Sequence, residues 1–444
     1  MLILLFLFFI ILLFITYYLF DKDFMAPSFI LTAMYIVSIG VALLNYKEWG
    51  LSDYSSTTFF IILGGAVLFI LVGFVVKLVV YPTNYQISTS VDVALKQPHN
   101  LRINKPITIV LTIVNVIIVY LWAHAVRNIV GSAGSFSQMM ESFRAITSYS
   151  VDPTESIPGY IQQLSKIPTV SGYIYGFVLC YNLALGSIKK QDWLWCLPNI
   201  MLYVVLSIFS SNRLNLLGLI GAYIIYFYVT RQEVTTRSSS LKNFLKLFTI
   251  FAVALLVFYA IRILVGRRGS ADTGFMDYIS IYVGAPVKLL DLFIKQPIHD
   301  LSIWGKETFV SINGTLRELG FNIPKYLMHK EFRTYNGIEL GNVYSAYRSW
   351  YADFGVVGVI VLQSLLSLFY NVYYYVMKKK GFILHKIAVL LYGYFSMALF
   401  LHPIEDWFYP IFMSVGTIIY IVLFTFVYKL VIVGNTSKVF LNEK

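Results

Sequence analysis

The chain has 444 residues, of which 58% are hydrophobic, 17% are aromatic and only 13% are charged. Soluble proteins carry roughly 25% charged residues, because these residues cover the surface that faces water. The composition therefore excludes a soluble fold. The formal net charge of +12 does not indicate nucleic-acid binding, since the basic residues are spread over many short loops and form no basic domain. Both cysteines, Cys180 and Cys196, lie in apolar runs, which excludes a disulfide framework and a cysteine-based metal site.

The hydropathy pattern predicts an all-α, polytopic integral membrane protein that forms a single membrane domain over residues 1–444. A bilayer core needs about 20 apolar residues of helix. The stretches that qualify are 2–20, 26–44, 57–76, 107–125, 170–188, 193–209, 213–230, 244–265, 353–376, 382–400 and 408–432. The first stretch lacks the basic start and the small-residue cleavage site of a secretory signal, so we expect a retained helix. The prediction is thus about 11 (11–12) transmembrane helices.

The distribution of Lys and Arg predicts the orientation of the chain. One set of alternate loops holds most of these residues, including Lys378, Lys379 and Lys380, whereas the short loops of the other set hold Lys47 and Arg213. Cytoplasmic loops are enriched in Lys and Arg, so the basic set is predicted to be cytoplasmic. Two long segments, 126–169 and 266–352, then lie outside the cytoplasm.

Both long outer segments carry amphipathic stretches. The first predicts a helix that Ser135 caps and that lies on the outer leaflet. Its apolar face consists of Phe136, Met139, Met140, Phe143 and Ile146. The second holds a shorter stretch with Val287, Leu290, Phe293 and Ile294, ended by Pro297. Because a long loop in a compact protein is usually functional or disordered, and this one is rich in aromatic residues, we expect 266–352 to be folded and functional.

Ionisable residues are nearly absent from the middles of the predicted spans, which disfavours an ion-coupled transporter. Arginines instead occur near the predicted outer ends of spans. They are Arg213, Arg262, Arg267, Arg268 and Arg348. Guanidinium groups grip phosphates through paired hydrogen bonds, so these residues are candidates for binding a lipid-linked pyrophosphate. The alternative is snorkelling, in which an arginine at a helix end reaches the lipid headgroups.

The most distinctive stretch runs from residue 341 to 355. Tyr344, Tyr347 and Tyr351 have helical spacing, and Arg348 lies beside them. Sugars stack their C–H faces on such rings and bond to polar groups at the ring edges. The candidate sugar-binding residues are Asn342, Tyr344, Tyr347, Trp350 and Tyr351. The alternative is an interfacial belt of aromatic residues, which is common in membrane proteins.

The last predicted outer loop, His402 to Trp407, places a histidine and two carboxylates beside the bilayer. A general base needs such a side chain with a pKa tuned by burial. The candidates are His402, Glu405, Asp406 and also Asp353. His402 and Glu405 are three residues apart, so one helical turn could hold both on one face. The alternative is that Glu405 or Asp406 only caps the next helix.

Three short motifs resemble those of a known family. They are Asp-x-x-x-x-x-Pro-Ser at 21–28, Ser-Asn-Arg at 211–213, and Gly-Asn-Val-Tyr at 341–344 followed by Tyr-Ala-Asp-Phe-Gly at 351–355. With the topology over the whole length, they resemble the Wzy-type oligosaccharide repeat-unit polymerases of bacterial O-antigen (lipopolysaccharide) and capsule synthesis. The resemblance implies a multi-pass protein of the bacterial plasma (inner) membrane, with a fold that is GT-C-like by analogy.

The resemblance also implies a reaction. Such enzymes transfer a growing chain from undecaprenyl pyrophosphate to the non-reducing end of the next lipid-linked repeat unit. They need cations on the departing pyrophosphate and a base for the acceptor hydroxyl, and no metal or other cofactor is expected. Expected partners are undecaprenyl-pyrophosphate-linked oligosaccharides, with a chain-length regulator and a flippase of the same pathway. Two alternatives stay open: an O-antigen ligase-like transferase with a lipid A-core acceptor, and a lipid-linked oligosaccharide flippase.

Overall fold

The computed structural model describes residues 1–82, 99–131, 134–148, 156–234, 249, 253, 255–262, 264, 274–298, 302–326, 329–379 and 385–433. The protein is about 74% helical. The strands among these residues are β1 (Arg333–Tyr335) and β2 (Ile338–Gly341), which pair in an antiparallel hairpin.

The helices are numbered in chain order. In the first half they are α1 (Leu2–Leu19), α2 (Pro27–Leu44), α3 (Ser56–Val80), α4 (Lys105–Val130), α5 (Phe136–Ser148), α6 (Gly159–Leu164), α7 (Lys166–Ala184), α8 (Lys190–Phe209) and α9 (Leu214–Val234). In the second half they are α10 (Phe275–Ile279), α11 (Ala285–Lys295), α12 (Val310–Glu318), α13 (Ala346–Lys378), α14 (His385–Phe395), α15 (Met397–Leu401) and α16 (Val415–Val431). Two π-helical turns span Ser280–Gly284 and Phe408–Phe412.

The predicted membrane spans correspond closely to these helices. Each predicted stretch falls on a helix except 244–265, half of which lies outside the described residues. By length and apolar composition, seven described helices are long enough to cross a bilayer: α1, α2, α3, α4, α8, α9 and α13. The segment His385–Leu401 and helix α16 are apolar but shorter. The chain is therefore an all-α, multi-pass membrane protein.

Helices α3 and α13 pack closely along their length because α3 offers glycines at the contact. A side chain at Gly65 would overlap the Tyr347 hydroxyl, and one at Gly73 would lie 2.9 Å from Asn371 Oδ1. Polar side chains of α13 then reach the α3 backbone: Gln363 Nε2 donates to Gly65 O at 3.1 Å, and Ser367 Oγ donates to Phe69 O at 2.7 Å. Small residues and interhelical hydrogen bonds drive helix association in membranes, where no hydrophobic effect acts between helices.

Helix α13 starts earlier than the predicted ninth span and is broken once. It begins at Ala346 rather than at 353, and Gly355 has φ 62° and ψ −154°. This backbone region is essentially confined to glycine. The break separates a short outer part, which carries Arg348 and Asp353, from the long part that packs on α3.

We expect Gly355→Ala to destabilise the protein by about 1–3 kcal/mol, because alanine is strained at this φ and ψ. A Cβ at Gly355 meets no atom within 4 Å, so the cost is backbone strain and not a clash. Gly64→Ala is the matched control, since it also has open space and lies inside regular α3. Thermal unfolding in detergent measures both. Equal melting temperatures for the two variants would contradict the strain argument.

The predicted interfacial helix is present as α5, and Ser135 Oγ accepts the Gln138 N–H at 3.3 Å as its cap. Two residues of its apolar face, Met140 and Phe143, are buried in a cluster with residues of α4, α6 and the segment before α6. Phe136 on the same face is 39% exposed, and the position of α5 on the outer leaflet stays a prediction.

At one end of the bundle, the turn between α1 and α2 binds the ends of two helices, α9 and α13, through Asp23. Asp23 accepts hydrogen bonds from Tyr374 at 2.5 Å, Lys378 at 2.7 Å and Gln232 at 2.7 Å. Burial alone would raise the pKa of Asp23, but the Lys378 charge and these hydrogen bonds lower it below the usual value. This end is opposite to the helix ends that carry Arg213 and Ala346.

The segment that contains α11 is anchored to the bundle by a buried ion pair. Lys288 Nζ lies 3.0 Å from Asp291 Oδ2, and both side chains are fully buried. Asp291 Oδ1 accepts from Ser55 N–H and Thr58 Oγ1, each at 2.8 Å, at the start of α3. Burial by itself would raise the pKa of Asp291. The hydrogen bond from Ser55 and the charge of Lys288 have the larger effect, so the pKa is lower than usual.

We expect Asp291→Ala to cost about 3–5 kcal/mol of stability, because it leaves the Lys288 ammonium buried without its counter-charge. Asp53→Asn is the control. It removes an ion pair to Lys295 whose carboxylate side is 74% exposed, and such pairs contribute about 0–1 kcal/mol. Since the pKa of Asp291 is lowered, this stability is present at neutral pH and is lost as the pH falls through that pKa. Thermal unfolding at pH 7 that shows the same loss for both variants would contradict the prediction.

Candidate functional site

A tight turn presents Arg213 at the start of α9. The N–H of Asn212 donates to Ser207 O at 3.2 Å and that of Ser211 donates to Ile208 O at 3.0 Å. This is the Schellman pattern that ends a helix, and it requires a left-handed residue. Ser211 takes that role with φ 56°. The turn therefore places Arg213 between α8 and α9 with its side chain 4% exposed.

Arg213 and Arg262 both lie beside the side chain of Tyr278. The sequence predicted them only as separate residues at helix ends. Arg213 Nη1 donates to the Tyr278 hydroxyl, and the Arg213 guanidinium carbon lies 4.3 Å from the Phe258 ring centroid. The Arg262 guanidinium carbon lies 3.6 Å from the Tyr259 centroid and 5.9 Å from the Tyr278 centroid. Aromatic rings stabilise guanidinium groups through cation–π attraction. Two buried cations are thus held together by rings.

An apolar cavity, which we call the inner cavity, adjoins this pair. Phe258 and Tyr282 line it, and both rings lie near the Arg213 guanidinium. Pro403 and Ile404 line another part of its wall. The full lining is Met34, Ser38, Leu214, Leu217, Gly218, Ile220, Gly221, Ile224, Leu255, Phe258, Tyr282, Val283, Met397, Phe400, Leu401, Pro403 and Ile404. This arrangement suits a ligand with a hydrocarbon body and an anionic head.

The other predicted phosphate-binding arginines differ from this pair. Arg267 and Arg268 lie outside the described residues. Arg348 is 2% exposed and its guanidinium pairs with the carboxylates of Glu307 and Glu331. Because its charge is already compensated by these carboxylates, the structure does not support the predicted contact of Arg348 with a pyrophosphate.

Three of the five predicted sugar-binding residues are part of the core. Tyr344, Tyr347 and Trp350 are all 0% exposed, so no ring face is open to a sugar. Tyr351 and Asn342 are half-buried, and Asn342 Nδ2 donates to Lys330 O at 3.4 Å. Tyr347 and Tyr351 lie in α13 as the spacing predicted, whereas Tyr344 precedes the helix, which begins at Ala346. The prediction of a sugar-stacking surface at these rings is therefore corrected.

His402 is also a core residue and does not pair with Glu405. Its Nδ1 accepts from the Tyr35 hydroxyl at 2.9 Å. Its Nε2 lies 3.0 Å from Gln363 Oε1, which is only an acceptor, so Nε2 must donate. Both ring nitrogens are thereby used inside the protein, which leaves His402 without a nitrogen to take a proton from a substrate.

The two predicted aspartates serve as backbone caps. Asp406 Oδ1 accepts the Phe408 N–H at 2.9 Å and Oδ2 accepts the Trp350 indole N–H at 2.7 Å. Burial raises the pKa of Asp406 to about 6. Asp353 accepts the N–H groups of Glu307 and Thr308, at 3.1 and 2.7 Å from Oδ2. Asp406 is therefore a capping residue, as the alternative predicted. It caps the π-helical turn Phe408–Phe412 and not α16.

Glu405 differs from its neighbours. Every residue from Leu401 to Tyr409 is buried except Glu405, which is half-exposed. Its carboxylate makes no hydrogen bond or ion pair among the described residues. It directly follows Pro403 and Ile404, which line the inner cavity. Glu405 itself is not part of the cavity lining, and its partly exposed carboxylate is able to accept a proton.

Sequence reasoning missed the rings that hold the arginines and the acids that hold Arg348. Tyr278 and Tyr282 are four residues apart and lie in the segment 266–352, so their helical spacing was a signal for one aromatic face. Glu307 and Glu331 carried no such signal, since each is far from Arg348 in sequence. Among the described residues, no group of three or more His, Cys, Asp or Glu side chains is arranged to hold a metal ion.

Comparison with known proteins gives no relative: no protein-family model, no curated protein and no solved structure matches the chain. The functional argument therefore rests on the residues of this chain.

Proposed function

We propose that this protein is a membrane glycosyltransferase that polymerises oligosaccharide repeat units carried on undecaprenyl pyrophosphate, into O-antigen or capsular polysaccharide. The observation that carries the proposal is the apolar inner cavity beside the buried guanidinium groups of Arg213 and Arg262. A polyprenyl chain is apolar and a pyrophosphate is anionic, so the two features match the two parts of such a substrate. The short motifs that resemble those of Wzy-type polymerases support the same reaction.

The proposal includes an orientation. About 11 helices cross the bacterial plasma membrane, and the loops rich in Lys and Arg face the cytoplasm. Arg213, Arg262 and Glu405 then lie at the outer face, together with the segments 126–169 and 266–352. Lipid-linked repeat units would reach this face through a flippase, and a chain-length regulator would act on the product.

In the proposed reaction, the polyprenyl chain of the donor occupies the inner cavity and its pyrophosphate lies against Arg213 and Arg262. The acceptor hydroxyl attacks the anomeric carbon of the donor sugar. The bond from that carbon to the pyrophosphate oxygen breaks, and the pyrophosphate keeps the electron pair. Guanidinium groups that face the developing charge stabilise this transition state, because they are fixed in a site from which water is excluded.

The proton of the acceptor hydroxyl is taken by Glu405 in this proposal. Among the four residues predicted as the base, Glu405 alone combines partial exposure with a carboxylate that has no hydrogen bond or ion pair among the described residues. His402 uses both ring nitrogens internally, and Asp353 and Asp406 accept backbone N–H groups. A positioned base contributes about 10²–10⁴-fold to rate.

Reconstitution tests the proposal directly. The purified full chain is placed in vesicles with lipid-linked repeat units isolated from a strain that lacks the protein. We expect a ladder of polymers still attached to the lipid, with no nucleotide or added metal required. Transfer of units only to lipid A-core would favour the ligase alternative. Movement of units across the vesicle without a new glycosidic bond would favour the flippase alternative, and either result would overturn the proposal.

A further inference from the structure

The α12 segment, residues 302–326, presents large apolar side chains at its surface. Trp304 is 67% exposed, Leu319 is 71% exposed and Phe321 is 61% exposed. All three lie outside the helices that are long and apolar enough to cross a bilayer. Exposed apolar residues that cluster in this way indicate an interaction surface.

The chain around Trp304 is held in place, so the exposure of the indole is a feature of the fold. Asn313, which is 3% exposed, donates from Nδ2 to Trp304 O at 3.1 Å and to Gly305 O at 3.3 Å. The Trp304 ring stacks on the Phe309 ring, with centroids 4.9 Å apart and an angle of 16° between the planes. The indole is therefore fixed with one face against the protein and the rest at the surface.

The α12 segment is attached to the short part of α13 that precedes the break at Gly355. Asp353 Oδ2 accepts the N–H groups of Glu307 and Thr308, at 3.1 and 2.7 Å. The carboxylate of Glu307 also pairs with Arg348. Polar contacts to α13 therefore fix the position of the segment relative to a membrane helix.

The exposed indole adjoins the lipid-facing surface of α13. The Trp304 ring centroid lies 5.5 Å from the Phe354 ring centroid. Just beyond Phe354, α13 exposes Val357 by 70% and Ile360 by 51%, and this helix is long and apolar enough to cross the membrane. Apolar residues on the surface of a span face lipid, so the lipid-facing surface begins next to Trp304.

Helix α12 also adjoins the exposed apolar surface of α16. Ile312 and Leu316 share the walls of a shallow crevice with Met413 and Val415, which are 41% and 53% exposed. Leu319 follows Ile312 and Leu316 at the spacing i, i+4, i+7, so it continues the same face of α12. The apolar face of α12 is thus continuous with the apolar surface at the start of α16.

We infer that the α12 segment lies in the headgroup region of the membrane leaflet at this end of the bundle, with Trp304, Leu319 and Phe321 inserted among the phospholipids. The continuity of its apolar surface with those of α13 and α16 identifies lipid as the partner. Tryptophan is enriched at membrane–water interfaces, because its ring is apolar and its N–H is polar. Of the two carboxylates in the segment, Glu307 and Glu318, the first pairs with Arg348 and not with solvent.

This contact with lipid requires no polymerase activity, and it goes beyond the proposed function. It sets the depth of the α12 segment in the membrane. Through the bonds to Asp353 and Arg348, it also sets the depth of the short part of α13. Amphipathic segments bind the membrane surface in this way by burying an apolar face among the headgroups.

Nitroxide spin labels test this placement. They are attached through Leu319→Cys, Phe321→Cys and, as the control, Glu339→Cys, in a full-length chain with Cys180→Ala and Cys196→Ala. Glu339 is also exposed but lies on β2. In vesicles of phosphatidylethanolamine and phosphatidylglycerol, collisions with oxygen, which concentrates in the bilayer, are compared with collisions with a water-soluble nickel chelate. We expect oxygen to dominate at positions 319 and 321 and the nickel chelate to dominate at 339.

Two results would overturn the inference. Dominance of the nickel chelate at all three positions would show that the α12 segment projects into water. Weak collisions with both reagents at positions 319 and 321, with dipolar broadening that unlabelled protein removes, would show that a second copy of the chain covers the surface. Each labelled variant must keep the melting temperature of the cysteine-free parent.

Quenching of tryptophan fluorescence needs no label and gives an independent readout. The difference in emission between the wild type and Trp304→Phe isolates Trp304. We expect phospholipids that are brominated on the upper part of the acyl chain to quench this difference. The control is Trp49→Phe, because Trp49 is 3% exposed and its emission should not be quenched. Equal quenching of the two differences, or no quenching of Trp304, would contradict insertion.

Discussion

Arg213→Ala is expected to lower the rate of polymer formation by about 10²–10³-fold, the usual effect of removing one donor that acts on charge in the transition state. Arg213→Lys is expected to fail as well, because a lysine cannot present the planar fork of donors that holds a phosphate. The rate is measured with purified protein and lipid-linked repeat units, and the polymer ladder in cells gives a second readout.

The control for Arg213 is Arg127→Ala. Arg127 is an exposed arginine in the last turn of α4, so it also lies near the end of an apolar helix but away from the inner cavity. Membrane levels and melting temperatures of all three variants must match those of the wild type, since Arg213 also contacts Tyr278 and Phe258. Rates within a few-fold of wild type for both Arg213 variants would show that the pyrophosphate is held elsewhere.

Glu405→Gln is expected to reduce polymer formation by about 10²–10⁴-fold, because the amide keeps the shape of the side chain but cannot take a proton. The loss should appear in the rate at saturating substrate, since the substitution leaves the inner cavity and both arginines in place. In cells, the prediction is a product with a single repeat unit and no longer bands.

Glu339→Gln is the control for this substitution. Glu339 is an exposed glutamate on β2, also within the predicted outer segment. Asp406→Asn is a second comparison: asparagine can still accept the backbone N–H of Phe408 through its amide oxygen, but its NH₂ group then faces the Trp350 indole N–H, so the melting temperature of this variant is measured beside its polymer ladder. A full ladder from Glu405→Gln would exclude Glu405 as the base. Loss of the ladder in Asp406→Asn with a normal melting temperature would transfer that role to Asp406.

The membrane helices were predictable because each depends on a local property. About 20 consecutive apolar residues suffice to identify a span, and the predicted stretches in the described residues all coincide with helices. Arg213 was also placed correctly at a helix end, because the Ser-Asn-Arg turn depends on a few consecutive residues. The amphipathic helices α5 and α11 were also visible as local periodicity.

Local patterns did not reveal what each apolar or aromatic face contacts. Tyr347 and Trp350 have the spacing of an exposed aromatic surface, yet α3 and the loop after α15 cover them. Arg348 has the charge of a phosphate ligand, but Glu307 and Glu331 approach it from distant parts of the chain. His402 is only three residues from the carboxylate of Glu405 in sequence, whereas its hydrogen-bond partners come from α2 and α13.

The sequence by itself determined the class of the protein, the helices that cross the membrane and the residue types available at their ends, because hydropathy and spacing act over a few consecutive residues. Only the tertiary structure decided which of these side chains share a site. It joined Arg213 to Arg262 through Tyr278, placed an apolar cavity beside them and left Glu405 partly exposed within a buried loop. These outcomes depend on packing between helices that are distant in sequence, and such packing is fixed by shape and by polar partners that no local pattern contains.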